Sequence, residues 1–187
     1  GVEYDFMKAV YLDHAATTPI RNEVREVMEP YLSESFGNPS SLHRWGREAS
    51  AALENARATV AEVLGVNNQE IYFTRGGTES DNLAVLGCCK FMRTHKKQLT
   101  LVVSAIEHSA ILDPAKLVTE WQGVELVTLP VSQDGVLDQE PLKLALKSGP
   151  TVVSLLWVNN ETGLVFPVAE ISGLVNELGG TMHTDAV

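Results

Sequence analysis

A regular alternation of short apolar runs with longer amphipathic segments, beginning at residue 70, constrains the fold most strongly. The apolar runs have the length and β-branched content of buried strands. They occupy residues 71–74, 101–104, 124–129, 151–157 and 181–185. Strands that alternate with helices predict an α/β fold with a mostly parallel or mixed sheet and helices on both faces.

Apolar residues at helical spacing predict the helices. Within the alternating region, helices are expected at residues 79–92, 111–121, 138 onward and 168–178. Two further amphipathic helices are expected upstream, over residues 24–32 and 45–64, with a turn-rich break between them.

Composition and charge narrow the classes of partner. The chain has 187 residues and a formal net charge of -10, which argues against nucleic acid or an anionic membrane as the main partner. Its two cysteines are adjacent, Cys88 and Cys89, a spacing that fits neither a disulfide framework nor a zinc site. We expect both to be small core residues in a reducing compartment. The first residues carry acids without an apolar run, so neither a secretory signal nor a membrane span is expected there.

The loop after the first predicted strand is a glycine-rich junction, Arg75-Gly76-Gly77-Thr78. Its glycines let the backbone approach a ligand, and Thr78 is expected to be the N-cap of the next helix. Free N–H groups at the start of a helix bind anions, phosphate in particular. A tight turn with an ordinary cap is the simpler alternative, because neither a Walker lysine nor a complete Gly-x-Gly-x-x-Gly motif accompanies the glycines.

Polar residues follow the other predicted strands at the same edge of the sheet. His108 follows the second predicted strand, Asn159 and Asn160 follow the fourth, and Asp185 ends the fifth. Taken singly, each has a simpler explanation as a helix cap, a turn residue or a solvated side chain. Together, an anion-binding turn, a flat ring, an amide and a carboxylate suit a planar cofactor with a phosphate and a ring nitrogen. Pyridoxal phosphate (PLP) meets this description, and Asp185 would keep its ring nitrogen protonated.

Several motifs stand along the chain in a characteristic order. They are Tyr11-Leu12-Asp13-His14-Ala15-Ala16-Thr17-Thr18-Pro19, Phe36-Gly37-Asn38-Pro39-Ser40-Ser41, Gly76-Gly77-Thr78-Glu79-Ser80, Glu107-His108, Asn159-Asn160-Glu161-Thr162-Gly163 and His183-Thr184-Asp185-Ala186. In these motifs the chain resembles the cysteine desulfurases of the class V aminotransferase group. The resemblance runs from Val10 to Val187.

The resemblance implies a PLP-dependent transferase fold of type I. Residues 21–187 would form the N-terminal part of the PLP-binding large domain, and residues 1–20 an arm with a possible tag remnant at 1–6. It also implies that Gly77 and Thr78 bind the cofactor phosphate and that Asn160 lies near the ring hydroxyl. His108 would stack on the ring and move protons as a catalytic residue, and Asp185 would pair with the ring nitrogen.

The implied reaction converts L-cysteine to L-alanine and an enzyme-bound persulfide, whose sulfur passes to iron-sulfur scaffolds and other acceptor proteins. The family implies a homodimer in the cytoplasm or an organellar matrix. The Schiff-base lysine, the persulfide cysteine and the C-terminal small domain are expected outside these 187 residues. Residues 1–187 alone are therefore expected to be inactive and to associate or aggregate.

Two departures from the family pattern and several alternatives remain open. Arg75 stands where the family commonly has a small residue, so a phosphate contact or a local ion pair is expected there, and His14 has no assigned role. The alternative functions are a selenocysteine lyase, another class V lyase or aminotransferase, and a non-catalytic fragment that binds a partner.

Overall fold

A computed structural model describes residues 10–96 and 98–187. The chain divides into two compact units, Gly1–Phe73 and Thr74–Val187. The expected tag remnant at residues 1–6 lies outside the described residues. The domain boundary expected at residue 21 stays a prediction.

The first unit is helical in its described part. Helix α1 spans Asn22–Ser33 and helix α2 spans Arg44–Leu64, as the sequence predicts, and a single 3-10 turn follows at Asn68–Glu70. His43 caps the start of α2 by accepting the Gly46 N–H at its Nδ1 atom. Gly65 ends α2 with a φ of 68°, a conformation that glycine adopts without steric cost.

The second unit alternates helices with strands. Its helices are α3 (Gly77–His95), α4 (Ser109–Val118), α5 (Glu140–Ser148) and α6 (Val168–Glu177). Its strands are β1 (Leu99–Ser104), β2 (Val124–Leu129), β3 (Thr151–Leu156) and β4 (Thr181–Asp185). The later predicted strands are thereby confirmed to within two residues at each end. The prediction of a strand at residues 71–74 is wrong, because this run pairs with no strand in the described part of the chain.

The sheet is four-stranded in the order β2-β1-β3-β4, and every described strand pair is parallel. Its two faces carry separate cores. Leu101 and Val152 pack with α3 and α4 on one face, whereas Val102 and Val153 pack with α5 and α6 on the other. Alternate side chains of a strand point to opposite faces, so a central strand such as β3 is buried along its whole length. The prediction of helices on both faces is confirmed.

The strand order places a topological switch between β1 and β3. From β1 the chain crosses to β2 on one side, and it then returns to β3 on the other side. The loops after these two strands therefore diverge, and ligands of open α/β sheets bind in the crevice between such loops. None of the helices in residues 10–96 and 98–187 combines the length and apolar character needed to cross a bilayer.

Candidate functional site

Polar side chains collect at the carboxyl edge of the sheet, around the switch between β1 and β3. They come from the loops after β1 and β3, from the end of β4 and from the first turns of α3. The members are Gly77, Thr78, Asp81, Glu107, His108, Asn159, Asn160, His183 and Asp185. All belong to the second unit. The residues predicted from the sequence to form the site all lie at this edge, namely Gly77, Thr78, His108, Asn160 and Asp185.

The first turn of α3 offers uncapped N–H groups. Gly76 occupies the N-cap position and has no side chain to accept a hydrogen bond, so the prediction that Thr78 is the N-cap is wrong. In the described part of the chain, no acceptor bonds the N–H groups of Gly77, Thr78 or Glu79. Three free donors and the positive end of the helix dipole make this turn an anion site.

Arg75 forms the local ion pair that was one of its two expected roles. Its Nε lies 3.3 Å from Oε2 of Glu79, and its backbone N–H donates to the same oxygen over 2.7 Å. The guanidinium is 92% exposed. These two contacts hold the carboxylate of Glu79 against Arg75, which lies two residues before the start of α3. Exposed ion pairs of this kind contribute under about 1 kcal/mol to stability.

The end of β4 lies against the start of α3. A Cβ atom placed on Gly77 would lie 2.8 Å from Cγ2 of Val187. The segment that follows Asp185 therefore contacts the first residue of α3 at this edge of the sheet.

Asp185 is a half-buried residue at the carboxyl end of β4. It pairs in register with Leu156 of β3, and its carbonyl oxygen accepts the Trp157 N–H over 2.8 Å. Its side-chain Oδ1 accepts the Val187 N–H over 3.1 Å. One carboxylate oxygen thus stabilises the turn after the strand, which fixes the side chain while the other oxygen remains available to a ligand.

His108 caps α4 and still exposes its ring. Its Nδ1 accepts the Ala110 N–H over 3.1 Å, as the simpler interpretation of a lone histidine predicts. An Nδ1 that accepts a backbone N–H places the proton of the neutral ring on Nε2, a tautomer assigned from this bond. The cap therefore orients the imidazole and sets Nε2 as its donor.

Glu107 joins the loop after β1 to strand β3. It is 5% exposed, accepts the Leu156 N–H at Oε2 over 2.9 Å, and accepts the Ser104 hydroxyl at Oε1. Burial raises the pKa of Glu107 to about 7, against the opposing effect of these hydrogen bonds. The hydrogen bond from Leu156 to Glu107 lies beyond the last β1–β3 residue pair, Val103 with Ser154. It holds Glu107, and therefore the start of the His108 loop, against β3.

Asn159 organises the loop after β3. Its Nδ2 donates to the carbonyl of Ile106 over 2.9 Å, and its Oδ1 accepts the N–H groups of Glu161 and Thr162 and the Thr162 hydroxyl. Its 7% exposure makes it a buried structural residue. Asn160 is exposed, and its amide makes no hydrogen bond within residues 10–96 and 98–187. The adjacent asparagines thus separate into one that builds the loop and one that faces outward.

Replacing Asn159 by alanine is expected to destabilise the protein by about 2–4 kcal/mol, because the Ile106 carbonyl and the two loop N–H groups lose buried partners. Asn160→Ala is the matched control and should change stability by less than about 0.5 kcal/mol. Urea unfolding of both variants measures the difference. Equal losses in the two variants would contradict the separate roles of these residues.

Asp81 and His183 are site residues that the sequence interpretation missed. Asp81 shares a helical stripe with Val85 and Cys89, all buried against the sheet, and it is 4% exposed. The sequence did contain a signal for Asp81, because its spacing places this carboxylate on the same helical face as the apolar residues Val85 and Cys89. His183 lies two residues before Asp185 in β4, so both side chains point to the face that α3 covers.

The cysteines stand apart from this edge. Cys89 is fully buried and Cys88 half-buried in the core between α3 and the sheet, which confirms their predicted packing role. Burial raises the pKa of both thiols, that of Cys89 to about 12, so neither forms a thiolate near neutral pH. Within the described residues no cluster of His, Cys, Asp or Glu has the arrangement of a metal site.

The sequence and the fold match those of known proteins. The family model for class V aminotransferases matches residues 10–187, and the chain belongs to that family. The chain is 44% identical over 180 residues to the cysteine desulfurase IscS of Dictyoglomus turgidum, covering 96% of this chain and 45% of that protein. It is 42% identical over 180 residues to the IscS of Methanosarcina thermophila, covering 96% and 44%.

Solved structures agree with the sequence relatives. A NifS-like protein superposes with a TM-score of 0.85 at 35% identity, covering 95% of this chain and 49% of that one. SspA in complex with cysteine superposes with a TM-score of 0.85 at 33% identity, covering 94% and 50%. The chain spans about half the length of the relatives it matches.

Proposed function

We propose that the complete gene product is a PLP-dependent cysteine desulfurase and that these residues form the cofactor-binding part of its site. One observation carries the proposal. The free N–H groups of Gly77 and Thr78 and the carboxylate of Asp185 lie at one edge of one sheet. The similarity to cysteine desulfurases supports the substrate.

The residues present fit pyridoxal phosphate by their chemistry. A helix start without a side-chain cap suits a dianionic phosphate, and a half-buried carboxylate suits a protonated ring nitrogen. The exposed ring of His108 and the outward amide of Asn160 supply a flat surface and a polar group at the same edge. When bound, the cofactor supplies an electron sink for bonds at the substrate α-carbon.

Each residue has a distinct task in this proposal. The N–H groups of Gly77 and Thr78 hold the phosphate, and Asn160 binds the ring hydroxyl. Asp185 accepts a charge-assisted hydrogen bond from the ring nitrogen, which contributes about 1.5–3 kcal/mol and keeps that nitrogen protonated.

His108 is the proposed proton carrier. Its Nδ1 is occupied by the Ala110 N–H, so Nε2 is the atom that holds or moves a proton near the substrate. Glu107 and Asn159 hold the position of His108 by fixing the loops after β1 and β3 with hydrogen bonds.

The proposed reaction takes sulfur from L-cysteine, releases L-alanine and leaves a persulfide on a protein cysteine, from which an acceptor or iron-sulfur scaffold protein receives it. SspA has been solved in complex with cysteine, which supports this substrate. A homodimer in the cytoplasm is the proposed working form.

The complete gene product, supplied with L-cysteine, pyridoxal phosphate and a thiol reductant, is expected to release alanine and sulfide in equal amounts. Alanine by chromatography and sulfide by colorimetry give the ratio, and protein without cofactor is the control. Alanine from L-selenocysteine with none from L-cysteine would assign a selenocysteine lyase. Transamination products instead of sulfide would assign an aminotransferase.

A further inference from the structure

Asp81 is a buried carboxylate of the site to which the proposed function gives no task. It lies in the second turn of α3 and is 4% exposed. A charged group is rarely buried to this degree unless nearby groups stabilise it. Its surroundings therefore indicate what it does.

Asp81 contacts a histidine that the sheet holds in place. Oδ1 of Asp81 lies 3.7 Å from Nε2 of His183. The opposite ring atom, Nδ1, lies 2.9 Å from the hydroxyl of Ser154, which pairs with His183 across β3 and β4. A hydroxyl that donates to Nδ1 leaves the ring proton on Nε2, directed at Asp81, a tautomer assigned from these contacts. The three residues form a chain of polar contacts from β3 through β4 to α3, in which Ser154 and Asp81 are buried and His183 is half-buried.

This chain adjoins the carboxylate proposed for the ring nitrogen. His183 and Asp185 lie on the same face of β4, the face covered by α3. Burial raises the pKa of Asp81, the charge of Asp185 raises it further, and His108 lowers it. The resulting pKa is about 6. Burial also lowers the pKa of His183, so this ring is neutral near pH 7 and leaves the negative charge of Asp81 uncompensated.

We propose that Asp81, held against His183, is a positioning residue that places a second negative charge beside Asp185 and makes this edge selective for a cationic ring nitrogen. The inference rests on the proposed function. Two carboxylates that repel each other in a weakly polar site are both stabilised when a cation binds next to them. The cation is held more strongly than one carboxylate alone would hold it.

The test measures pyridoxal phosphate binding to the apo form of the complete gene product, wild type and Asp81→Asn, between pH 5 and pH 8. At pH 8 the variant is expected to bind the cofactor about tenfold to a hundredfold more weakly, the effect of one nearby charge in a partly screened site. At pH 5 the two affinities should converge, because Asp81 of the wild type is then protonated. Asp185, His183 and His108 lie near Asp81 and are present in both proteins, so the two proteins differ only in the group at position 81.

A spectroscopic measurement tests the charge directly. Proteins reconstituted with pyridoxal phosphate labelled with ¹⁵N in the ring report the protonation of that nitrogen by its chemical shift. The wild type should show a protonated nitrogen at pH 8, and Asp81→Asn a shift toward the unprotonated value.

Asp113→Asn is the matched control. Asp113 is the fifth residue of α4, as Asp81 is the fifth of α3, so both have the same place relative to the helix dipole, but Asp113 is exposed. This variant should bind the cofactor like the wild type at every pH. If Asp81→Asn does not fold, Asp81→Ser replaces it with a smaller neutral residue.

The outcomes separate the two proposals. A wild-type protein that binds no pyridoxal phosphate would overturn the proposed function. A wild type that binds the cofactor, with an Asp81 variant that matches it at every pH, would overturn this inference alone. A loss of affinity that is equal from pH 5 to pH 8 would also overturn it, because a purely structural defect has no reason to follow the titration of Asp81.

Discussion

Replacing Asp185 by asparagine is expected to lower the cysteine desulfurase activity of the complete gene product by about 100-fold or more. The amide keeps an oxygen for the Val187 N–H but carries no charge to stabilise a protonated ring nitrogen. The lost charge-assisted bond costs about 1.5–3 kcal/mol in cofactor binding, and the weaker electron sink slows the chemistry further. Alanine release and cofactor affinity measure the two effects separately.

Asp185→Ala separates the effect of the carboxylate charge on activity from the effect of its hydrogen bond to Val187 on stability. It removes the Val187 hydrogen bond as well, so it should lose stability that Asp185→Asn retains. Asp134→Asn, in an exposed turn distant in sequence from the site, is the control and should retain full activity. An Asp185→Asn variant with near wild-type activity and cofactor affinity would refute the role assigned to this carboxylate.

Glu107→Ala is expected to lower the free energy of unfolding by about 2–4 kcal/mol at pH 5, because a buried acceptor is removed. It leaves the Leu156 N–H and the Ser104 hydroxyl without their buried acceptor and opens a cavity beside β3. The loop that carries His108 loses its hydrogen bond to β3 and keeps the one from Asn159, so activity should fall with stability. Urea unfolding at fixed pH measures the loss, and the exposed Glu120→Ala is the control.

The loss caused by Glu107→Ala should shrink as the pH rises. The pKa of Glu107 is raised by burial from its ordinary value of 4.5 to about 7. A raised carboxyl pKa means that the wild type holds its full stability below pH 4.5 and loses part of it as the pH rises through 7. The alanine variant lacks this group, so the two unfolding curves should approach each other toward pH 8. A difference that grows with pH would show that Glu107 is stabilised as a carboxylate.

The pattern of the sequence predicted most of the second unit because its signals are local. Helical spacing located α3 to α6, and short β-branched runs located β1 to β4. The run at residues 71–74 has the same local character, yet it forms no strand in the described part of the chain. A strand is defined by hydrogen bonds to a neighbour, and no property of an isolated run shows whether a neighbour is available.

The site was predicted in part for a similar reason. His108, Asp185 and the pair Asn159-Asn160 were identifiable because polar residues that follow apolar strands lie at the carboxyl edge of a parallel sheet, whereas the role of Asn160 came from the family resemblance. The N-cap of α3 was misassigned to Thr78 because cap propensity favours threonine, whereas the helix begins after Gly76. Asp81 was overlooked because a single charged residue on a helix is normally solvated.

The class of fold, the order of the elements and the edge of the sheet where polar groups collect can all be predicted from the residues alone. These follow from hydrophobic periodicity and from the geometry of parallel strands, which require no knowledge of distant contacts. The folded structure was needed to show which of two adjacent asparagines supports the loop, how Glu107 bridges to β3, and that Asp81 contacts His183. Burial and neighbouring charge set the state of these groups, and both depend on residues far apart in the chain.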